Sequence, residues 1–534
     1  MPESPAEPGS PSSAAAAPGG ASVGGVSGAS VGGLRRALSA GTLTSAGITT
    51  FYLERIHRLN PALHAVITVN PDAAAEARAS DAARAGGTPR GPLEGIPVLV
   101  KDNIQVAGMP TTAGSPALLG AGGPDAFLVR RLREAGAVII GKANLSEWAN
   151  FRSTHGTSGW STLGGQTANP HALQRNPSGS SSGSAAGVAA GLAPIAVGTE
   201  TDGSIVCPAS ACGVVGIKPT LGLISRTGIV PISPAQDTAG PMARSVSDAA
   251  ALLSVLAAAD PEDPACAGSH PDMERVGAGA DYAGFCDPGA LRGARVGVWR
   301  DGSAAAGATT AAVLDSAVAR LREGGAAVID PVELPGADQI ERPEFAALLH
   351  EFRHSIGTYL ATRPGNPPRT LAELIGFNQR NADLVLARFG QELLEQAEAA
   401  GGDLTDPGYL ALRADAARLA RVAVETPVVT HRLDAVVALT ACPAWLTDYA
   451  LGDHDVFHTS GPAAVGGYPA VSVPFGYVWG LPVGISFMGP RWSESRLIAL
   501  AYAFEQAAAT PAGSPGPPHV TTGPPPHLAE TLAP

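Results

Sequence analysis

Cysteine is scarce in this chain of 534 residues, which has only five, and aromatic residues make up 5%. The cysteines are odd in number and form no CxxC pair, which argues against a disulfide framework or a cysteine-based zinc site. We therefore expect a reducing, cytoplasmic location. No stretch of about 18 apolar residues runs without a breaker, so the sequence predicts no transmembrane helix.

The chain also has few basic residues: it contains 35 Lys and Arg but 47 Asp and Glu, which gives a net charge of −12. This balance argues against nucleic acid or an anionic membrane as a partner. His454 and His458 have the spacing of metal ligands on a helix, but Gly452 and Asp455 favour a loop there. We therefore expect no metal site at these histidines.

The ends of the chain differ in composition from its body. Residues 1–30 and 510–534 are dominated by Pro, Ser, Ala and Gly and are predicted to be disordered tails, the first without the features of a secretory signal. Residues 31–509 alternate predicted helices and strands, as in an α/β fold. Within them we predict a long surface loop at Glu262–Gly289 and a helical lobe at residues 344–424 that could cover a site.

Three segments of the first half carry residues suited to nucleophilic catalysis. The apolar run Ile96–Val100 predicts a buried strand that leads directly into Lys101. The Gly/Ser run Ser178–Ser184 leads into a predicted helix of small residues, and a Gly-containing turn precedes Ser204. Each feature alone is common, since a Gly/Ser run is often a linker and a strand-end lysine or a turn serine is often only solvated.

The combination predicts a Ser–Ser–Lys hydrolase. Ser204 is the candidate nucleophile, and no histidine in these motifs could activate it. Lys101 could act as the base if burial keeps its amine neutral, and Ser180 could pass the proton between them. The turn before the nucleophile could supply an oxyanion hole through successive backbone N–H groups, those of Thr201, Asp202, Gly203 and Ser204.

Together these segments resemble the amidase signature family, whose pattern is a strand-end K-D-N, a G-G-S-S-G-G-S run and a G-x-D-T-G-G-S turn about 24 residues later. The resemblance spans roughly residues 31–508. It implies one large α/β domain with a mixed, twisted sheet flanked by helices (α/β/α). It also implies amide hydrolysis through an acyl-serine without a metal or organic cofactor. The family's lysine falls on Lys101, its cis-peptide serine on Ser180, its nucleophile on Ser204 and the turn threonine on Thr201.

The departures from the family pattern point to one branch of it. Glu200 stands where Asp is frequent, Asp202 where Gly is frequent and Val206 where Arg is frequent. Residues 198–209 and the segment Asn144–Phe151 look most like bacterial peptide amidases, which remove the C-terminal amide of peptides. The resemblance therefore implies that a peptide amide is the substrate and ammonia a product.

Three other hypotheses remain open at this stage. The chain could be a broad-specificity aliphatic or aromatic amidase, or the glutaminase (A) subunit of a tRNA-dependent amidotransferase. It could also be a catalytically silent binding protein on the same fold. Apart from its amide substrate we expect no nucleic-acid or membrane partner, and a monomer or homodimer.

Overall fold

A computed structural model describes residues 26, 28–120, 122–267 and 280–509 of the chain. The predicted disordered tails lie outside the described residues, apart from Val26 and Gly28–Ser30. Sixteen α-helices are found in the described part: α1 (Val31–Ser39), α2 (Ser45–Leu63), α3 (Ala73–Ala85), α4 (Phe127–Glu134), α5 (Ser182–Ala189), α6 (Val206–Cys212), α7 (Val246–Leu256), α8 (Pro264–Ala267), α9 (Ala308–Glu323), α10 (Glu341–Ala361), α11 (Leu371–Arg380), α12 (Ala382–Val385), α13 (Glu392–Ala400), α14 (Pro407–His431), α15 (Gly461–Gly466) and α16 (Glu494–Ala509).

Side-chain caps mark where five of these helices begin. In each case an oxygen of the residue before the helix accepts a hydrogen bond from a backbone N–H of the first turn, which otherwise has no partner. The capping residues are Ser30, Thr44, Ser245, Thr370 and Asp406.

The strands form one mixed sheet and a short hairpin. They are β1 (Val66–Val69), β2 (Pro97–Lys101), β3 (Val138–Ala143), β4 (Trp160–Ser161), β5 (Gly165–Gln166), β6 (Ile195–Glu200), β7 (Val215–Lys218), β8 (Thr238–Ala243), β9 (Arg295–Val298), β10 (Ala327–Ile329), β11 (Ala435–Leu439), β12 (Ala470–Val478) and β13 (Leu481–Met488). Eleven of them make the large sheet, in the order β1-β3-β2-β6-β8-β7-β12-β13-β11-β9-β10. This large mixed sheet with flanking helices confirms the predicted α/β class.

The middle of the sheet positions the first site residues. β2 lies between β3 and β6 and is parallel to both, and all five of its residues are buried. A strand buried on both faces needs apolar side chains throughout, which is why this segment forms one apolar run in the sequence. Because β2 and β6 are parallel neighbours, their carboxyl ends lie at the same edge of the sheet, and Lys101 meets the end of β6 there.

Pro61 lies within α2, and the helix continues through it to Leu63, since Leu59 and Leu63 are buried and their burial compensates for the missing N–H. One sequence prediction about secondary structure was wrong. The predicted surface loop Glu262–Gly289 contains α8 and a 3₁₀ turn at Tyr282–Phe285, and Tyr282 is fully buried. Residues 268–279 of that loop lie outside the described residues.

Helices α10–α14 occupy the stretch predicted to be a helical lobe. Apolar side chains of α10, α11 and α13 share a hydrophobic cluster with Trp148 and Phe151, separate from the main core. Those of α14 belong to another cluster, which includes residues of β11. Arg413 of α14 forms an ion pair with the fully buried Glu351 of α10, at 2.7 Å. Glu351 in turn accepts a hydrogen bond from Ser233 Oγ at 2.5 Å, so α10 is tied to the loop that follows β7.

Two further observations concern membranes and cysteines. In the described residues, no helix combines the length and the hydrophobicity needed to cross a bilayer. All five cysteines are free thiols, and four of them are buried.

Packing of α16 against the sheet provides a stability test. Phe504 is fully buried, and its ring centroid lies 5.0 Å from that of Phe475 and 5.4 Å from that of Phe487. We expect Phe504→Ala to lower the free energy of unfolding by about 3–5 kcal/mol in urea titrations, because it leaves a cavity in a packed core. The matched control Phe345→Ala removes a side chain that is 40% exposed and should cost less than about 1 kcal/mol. Equal losses would contradict this description of the core.

Candidate active site

Lys101 lies at the end of β2 and is completely buried among hydroxyl groups. Its Nζ lies 2.7 Å from Ser180 Oγ and 3.0 Å from Ser181 Oγ. It also lies 2.8 Å from Thr199 Oγ1 and 3.2 Å from the Thr199 carbonyl oxygen. A neutral amine has two protons to donate and one lone pair to accept with, so these contacts suit an uncharged lysine.

Burial also decides the charge of this lysine. Removing an ammonium group from water penalises its charged form, and the pKa of Lys101 lies well below its ordinary value for this reason. The nearby carboxylates of Glu200 and Asp237 act in the opposite direction and are the weaker influence. Burial therefore favours the neutral form of Lys101, which is the form that can accept a proton.

The Gly/Ser run places its hydroxyl groups beside the lysine. The peptide bond between Gly179 and Ser180 is cis, and Ser180 is fully buried. Ser181 precedes α5 and ties the run to β6, because its Oγ donates to the Thr199 carbonyl and accepts from the Thr199 N–H. This segment is therefore packed between elements and is not a linker.

Ser204 lies in the turn between β6 and α6, and 8% of it is exposed. The turn is held from both sides. The Ser204 carbonyl accepts a hydrogen bond from the Ser181 N–H at 3.1 Å. The buried Glu200 carboxylate accepts from the N–H groups of Ile205 and Val206 at 2.7 and 3.1 Å. The structure thus joins Lys101 and Ser180 directly and holds Ser204 next to them through the backbone.

The residues predicted to form an oxyanion hole leave N–H groups available. Those of Asp202, Gly203 and Ser204 donate to no acceptor within the part of the chain that the structure describes. Thr201 contributes its side chain to another contact, since its Oγ1 donates to Asp237 at 2.6 Å. Burial raises the pKa of Asp237 to about 6.

A cavity of about 210 Å³ contains Ser204, and we call it the catalytic cavity. Its lining combines small residues of the two motifs with apolar and acidic side chains, among them Ser178, Gly179, Asp202, Phe151, Leu348, Trp445, Asp453, Asp455 and His458. Asp202 accepts a hydrogen bond from Ser460 Oγ, which lies 2.8 Å from His458 Nδ1. Burial acts to lower the pKa of His458. The nearby carboxylates, chiefly those of Asp202 and Asp455, outweigh this effect and raise the pKa.

Sequence reasoning missed several of these neighbours. Thr199, Ser181 and Asn103 complete the surroundings of Lys101, and Asn103 Nδ2 donates to Thr199 Oγ1 at 2.9 Å. Thr199 lies within the segment 198–209 that carries the resemblance, but the sequence gave no reason to assign it a contact with Lys101. His458 lies in a loop, as predicted, but it belongs to the wall of the catalytic cavity.

This arrangement agrees with what comparison with known proteins finds. The model of the Amidase family matches residues 47–498. The chain belongs to the amidase signature family. A probable amidase of Arabidopsis thaliana is 42% identical over 484 residues, which cover 89% of each chain. Membership of this family identifies the chain as an amide-hydrolysing enzyme.

Two further relatives of this amidase bear on its specificity. The crystal structure of the native peptide amidase from Stenotrophomonas maltophilia superposes with a TM-score of 0.85 and 50% identity, over 89% of this chain and 96% of the other. The A-subunit of the glutamyl-tRNA(Gln) amidotransferase from Symbiobacterium thermophilum is 37% identical over 484 residues, which cover 89% of this chain and 95% of that protein.

Gly203 offers a test of the turn in this amidase. Its φ is +75°, and a Cβ there would lie 2.9 Å from both Cys207 Sγ and Ser460 Oγ. We expect Gly203→Ala to lower kcat at least about tenfold, because the N–H groups around Ser204 must move to relieve the contact.

Gly480 is the matched control for this substitution. It also has a positive φ, +80°, but nothing lies within 4 Å of its would-be Cβ. Gly480→Ala should lower thermal stability slightly and leave kcat unchanged. If both variants kept full activity, the turn would not need its present backbone path.

Proposed function

We propose that this amidase removes the C-terminal amide of peptides through an acyl-Ser204 intermediate, with Lys101 as the base and Ser180 as the proton shuttle. The observation that carries the proposal is the buried 2.7 Å contact between Lys101 Nζ and Ser180 Oγ, next to the cavity that contains Ser204. A weak nucleophile needs such a base within hydrogen-bond reach, oriented by further contacts.

In the first half-reaction Ser204 Oγ attacks the carbonyl carbon of the amide. Its proton passes to Ser180 Oγ as the proton of Ser180 passes to the amine of Lys101. The negative charge that develops on the carbonyl oxygen is stabilised by the backbone N–H groups of residues 201–204, and removal of one such donor costs about 2.7–4 kcal/mol in other hydrolases.

The C–N bond then breaks and the leaving nitrogen takes a proton from Lys101 through Ser180. Ammonia departs and the acyl group remains on Ser204 as an ester. Water attacks this ester along the same path, with Lys101 again accepting a proton through Ser180. The second tetrahedral species collapses to the free acid and restores the serine.

The charge of the catalytic cavity supports an amide at the end of a peptide as the substrate. Its wall includes the carboxyl groups of Asp202, Asp453 and Asp455, and no Arg or Lys lines it in the described part of the chain. A neutral carboxamide enters such a cavity without repulsion. The α-carboxylate of free glutamine would face these three carboxyl groups without an Arg or Lys to pair with in the described residues, which disfavours the glutaminase alternative.

The relatives support the same choice. The peptide amidase of Stenotrophomonas maltophilia is 50% identical to this chain, compared with 37% for the amidotransferase protein of Symbiobacterium thermophilum. The departures Glu200, Asp202 and Val206 also belong to the peptide amidase pattern.

Ser204→Ala tests the nucleophile. We expect it to lower kcat for an acetylated dipeptide amide by about four orders of magnitude or more, because no other group can form the acyl-enzyme. The control is Ser184→Ala, which removes a buried hydroxyl of the same run that only donates to the Val197 carbonyl. It should keep most of the activity. Substantial turnover by Ser204→Ala would overturn the assignment.

A substrate panel separates the candidate functions. Ammonia release is measured for an acetylated dipeptide amide, free glutamine, an aliphatic amide and an aryl amide. We expect the highest kcat/KM for the dipeptide amide. Release from glutamine alone would favour the amidotransferase hypothesis, and equal rates on all four would favour a broad-specificity amidase.

The pH dependence of kcat/KM tests the base. Only neutral Lys101 can accept a proton, so kcat/KM should fall tenfold per pH unit once the pH drops below the lowered pKa of Lys101. Asp237, with its pKa near 6, could mimic this limb, and Asp237→Asn separates the two because the limb due to Lys101 persists in that variant. A flat acid profile with the fold intact would contradict a lysine base.

A further inference from the structure

His458 is a side chain of the catalytic cavity that the mechanism proposed above does not use. It lines the same cavity as Ser204, and it is exposed to solvent there. Its Nδ1 lies 2.8 Å from Ser460 Oγ, whereas its Nε2 has no hydrogen-bond partner in the part of the chain that the structure describes. An accessible ring with one unused nitrogen, in the cavity of the nucleophile, is a candidate contact for the substrate.

Ser460 decides where this histidine carries its protons. The Oγ of Ser460 has a single proton, which it donates to a carboxylate oxygen of Asp202. A carboxylate only accepts, so the direction of that hydrogen bond is fixed, and Ser460 Oγ accepts from His458 Nδ1. Nδ1 is therefore protonated, and Nε2 carries the second proton whenever the imidazole is charged.

The surroundings of His458 favour the charged ring. Burial acts to lower its pKa, but the carboxyl groups that face it outweigh this effect and raise the pKa. They belong to the end of β6, the turn after it, the loop of the histidine itself and the start of α10: Glu200, Asp202, Asp455 and Glu341. No Arg or Lys lines the catalytic cavity in the described residues, so His458 is the side chain of this wall that can carry a positive charge.

The backbone on both sides of His458 is fixed to the chain that follows β11. The N–H of Thr459 donates to the Thr440 carbonyl at 3.0 Å. The carbonyl of Phe457 accepts from the Cys442 N–H at 3.1 Å. Because its two neighbours are held and Ser460 holds its Nδ1, the ring is positioned before any substrate arrives, which lowers the entropic cost of a contact.

A peptide amide brings more than its reacting carbonyl into this cavity. The reacting carbonyl oxygen is met by the N–H groups of the turn, and the peptide N–H next to it finds acceptors in the acidic wall. The carbonyl one residue further back needs a donor. Ser158 Oγ and Trp445 Nε1 already donate to Asp453, whereas the Nε2–H of His458 is unused. A charged donor also makes a stronger hydrogen bond than a neutral one.

We propose that His458 is a substrate-binding residue, whose Nε2–H donates to the carbonyl oxygen that precedes the amide-bearing residue of a peptide amide. This inference rests on the proposed function and explains how the site separates peptide amides from small amides, which lack that carbonyl. Because carboxyl groups outnumber the single charge of the ring, a neutral carbonyl suits this position better than a carboxylate.

Two amides that differ in one group test the contact. N-acetylleucinamide carries the second carbonyl, and 4-methylpentanamide is the same molecule without the acetamido group. We expect the native chain to prefer N-acetylleucinamide. In His458→Ala the ratio of the two kcat/KM values should fall at least about tenfold, mainly through a higher KM for N-acetylleucinamide, because a contact made in the ground state is lost. A merely structural role, acting through Ser460 on the turn, would lower kcat for both amides and leave the ratio unchanged.

His454→Ala is the matched control. His454 lies on the same loop and is exposed, but it contacts Asp448 at 3.1 Å and does not line the catalytic cavity. This variant should keep the native ratio. If His458→Ala does not fold, His458→Phe takes its place, because phenylalanine keeps a ring but has no N–H to donate.

N-thioacetylleucinamide assigns the effect to one atom, since it exchanges only the second carbonyl oxygen for sulfur, a weaker acceptor. The exchange should raise KM for the native chain and for His454→Ala, and it should not do so for His458→Ala. A ratio that His458→Ala leaves unchanged, or equal sensitivity of all three chains to the sulfur, would overturn this inference alone. A native chain without any preference for N-acetylleucinamide would overturn the proposed function together with it.

Discussion

The burial of Lys101 is the constraint on which the rest of the site depends. An amine at the end of a central strand loses its hydration, so its charged form is penalised and its contacts must come from neutral oxygens. Ser180, Ser181 and Thr199 supply those oxygens from two segments that pack on either side of it. The cis peptide run, the short helix of small residues behind it and the end of β6 are all arranged around this one amine.

A second buried ionisable group, Glu200, holds the turn that carries Ser204. Glu200 continues β6 and uses one carboxylate oxygen to hold the first N–H groups after Ser204, so the N–H groups of the turn itself are left without acceptors in the described part of the protein. A carboxylate in this place serves as a fixed anchor, and Gly203 gives the chain the positive φ that the path requires. Groups on such a turn are held by the strand and helix on either side of it and need little reorganisation.

Helix α10 connects the site to its surroundings. Leu348 reaches the catalytic cavity, Thr358 and Tyr359 line a second cavity of about 420 Å³ beside it, and Glu351 between them joins α14 to the loop after β7. The two cavities thus have one helix and one loop as common walls, with Thr201 and Ile232 between them.

The sequence by itself determined the family, the α/β class and the candidates Lys101, Ser180 and Ser204, because each sits in a contiguous motif whose local composition is unusual. It did not reveal the role of Thr199, an ordinary strand residue whose contact with Lys101 spans 98 positions. It also gave no sign that Ser460 donates to Asp202, because the two residues lie 258 positions apart along the chain, or that His458 lies beside Ser460. Only the tertiary structure decided these contacts and both cavities, since they arise where distant loops and helices pack together and no local pattern records that packing.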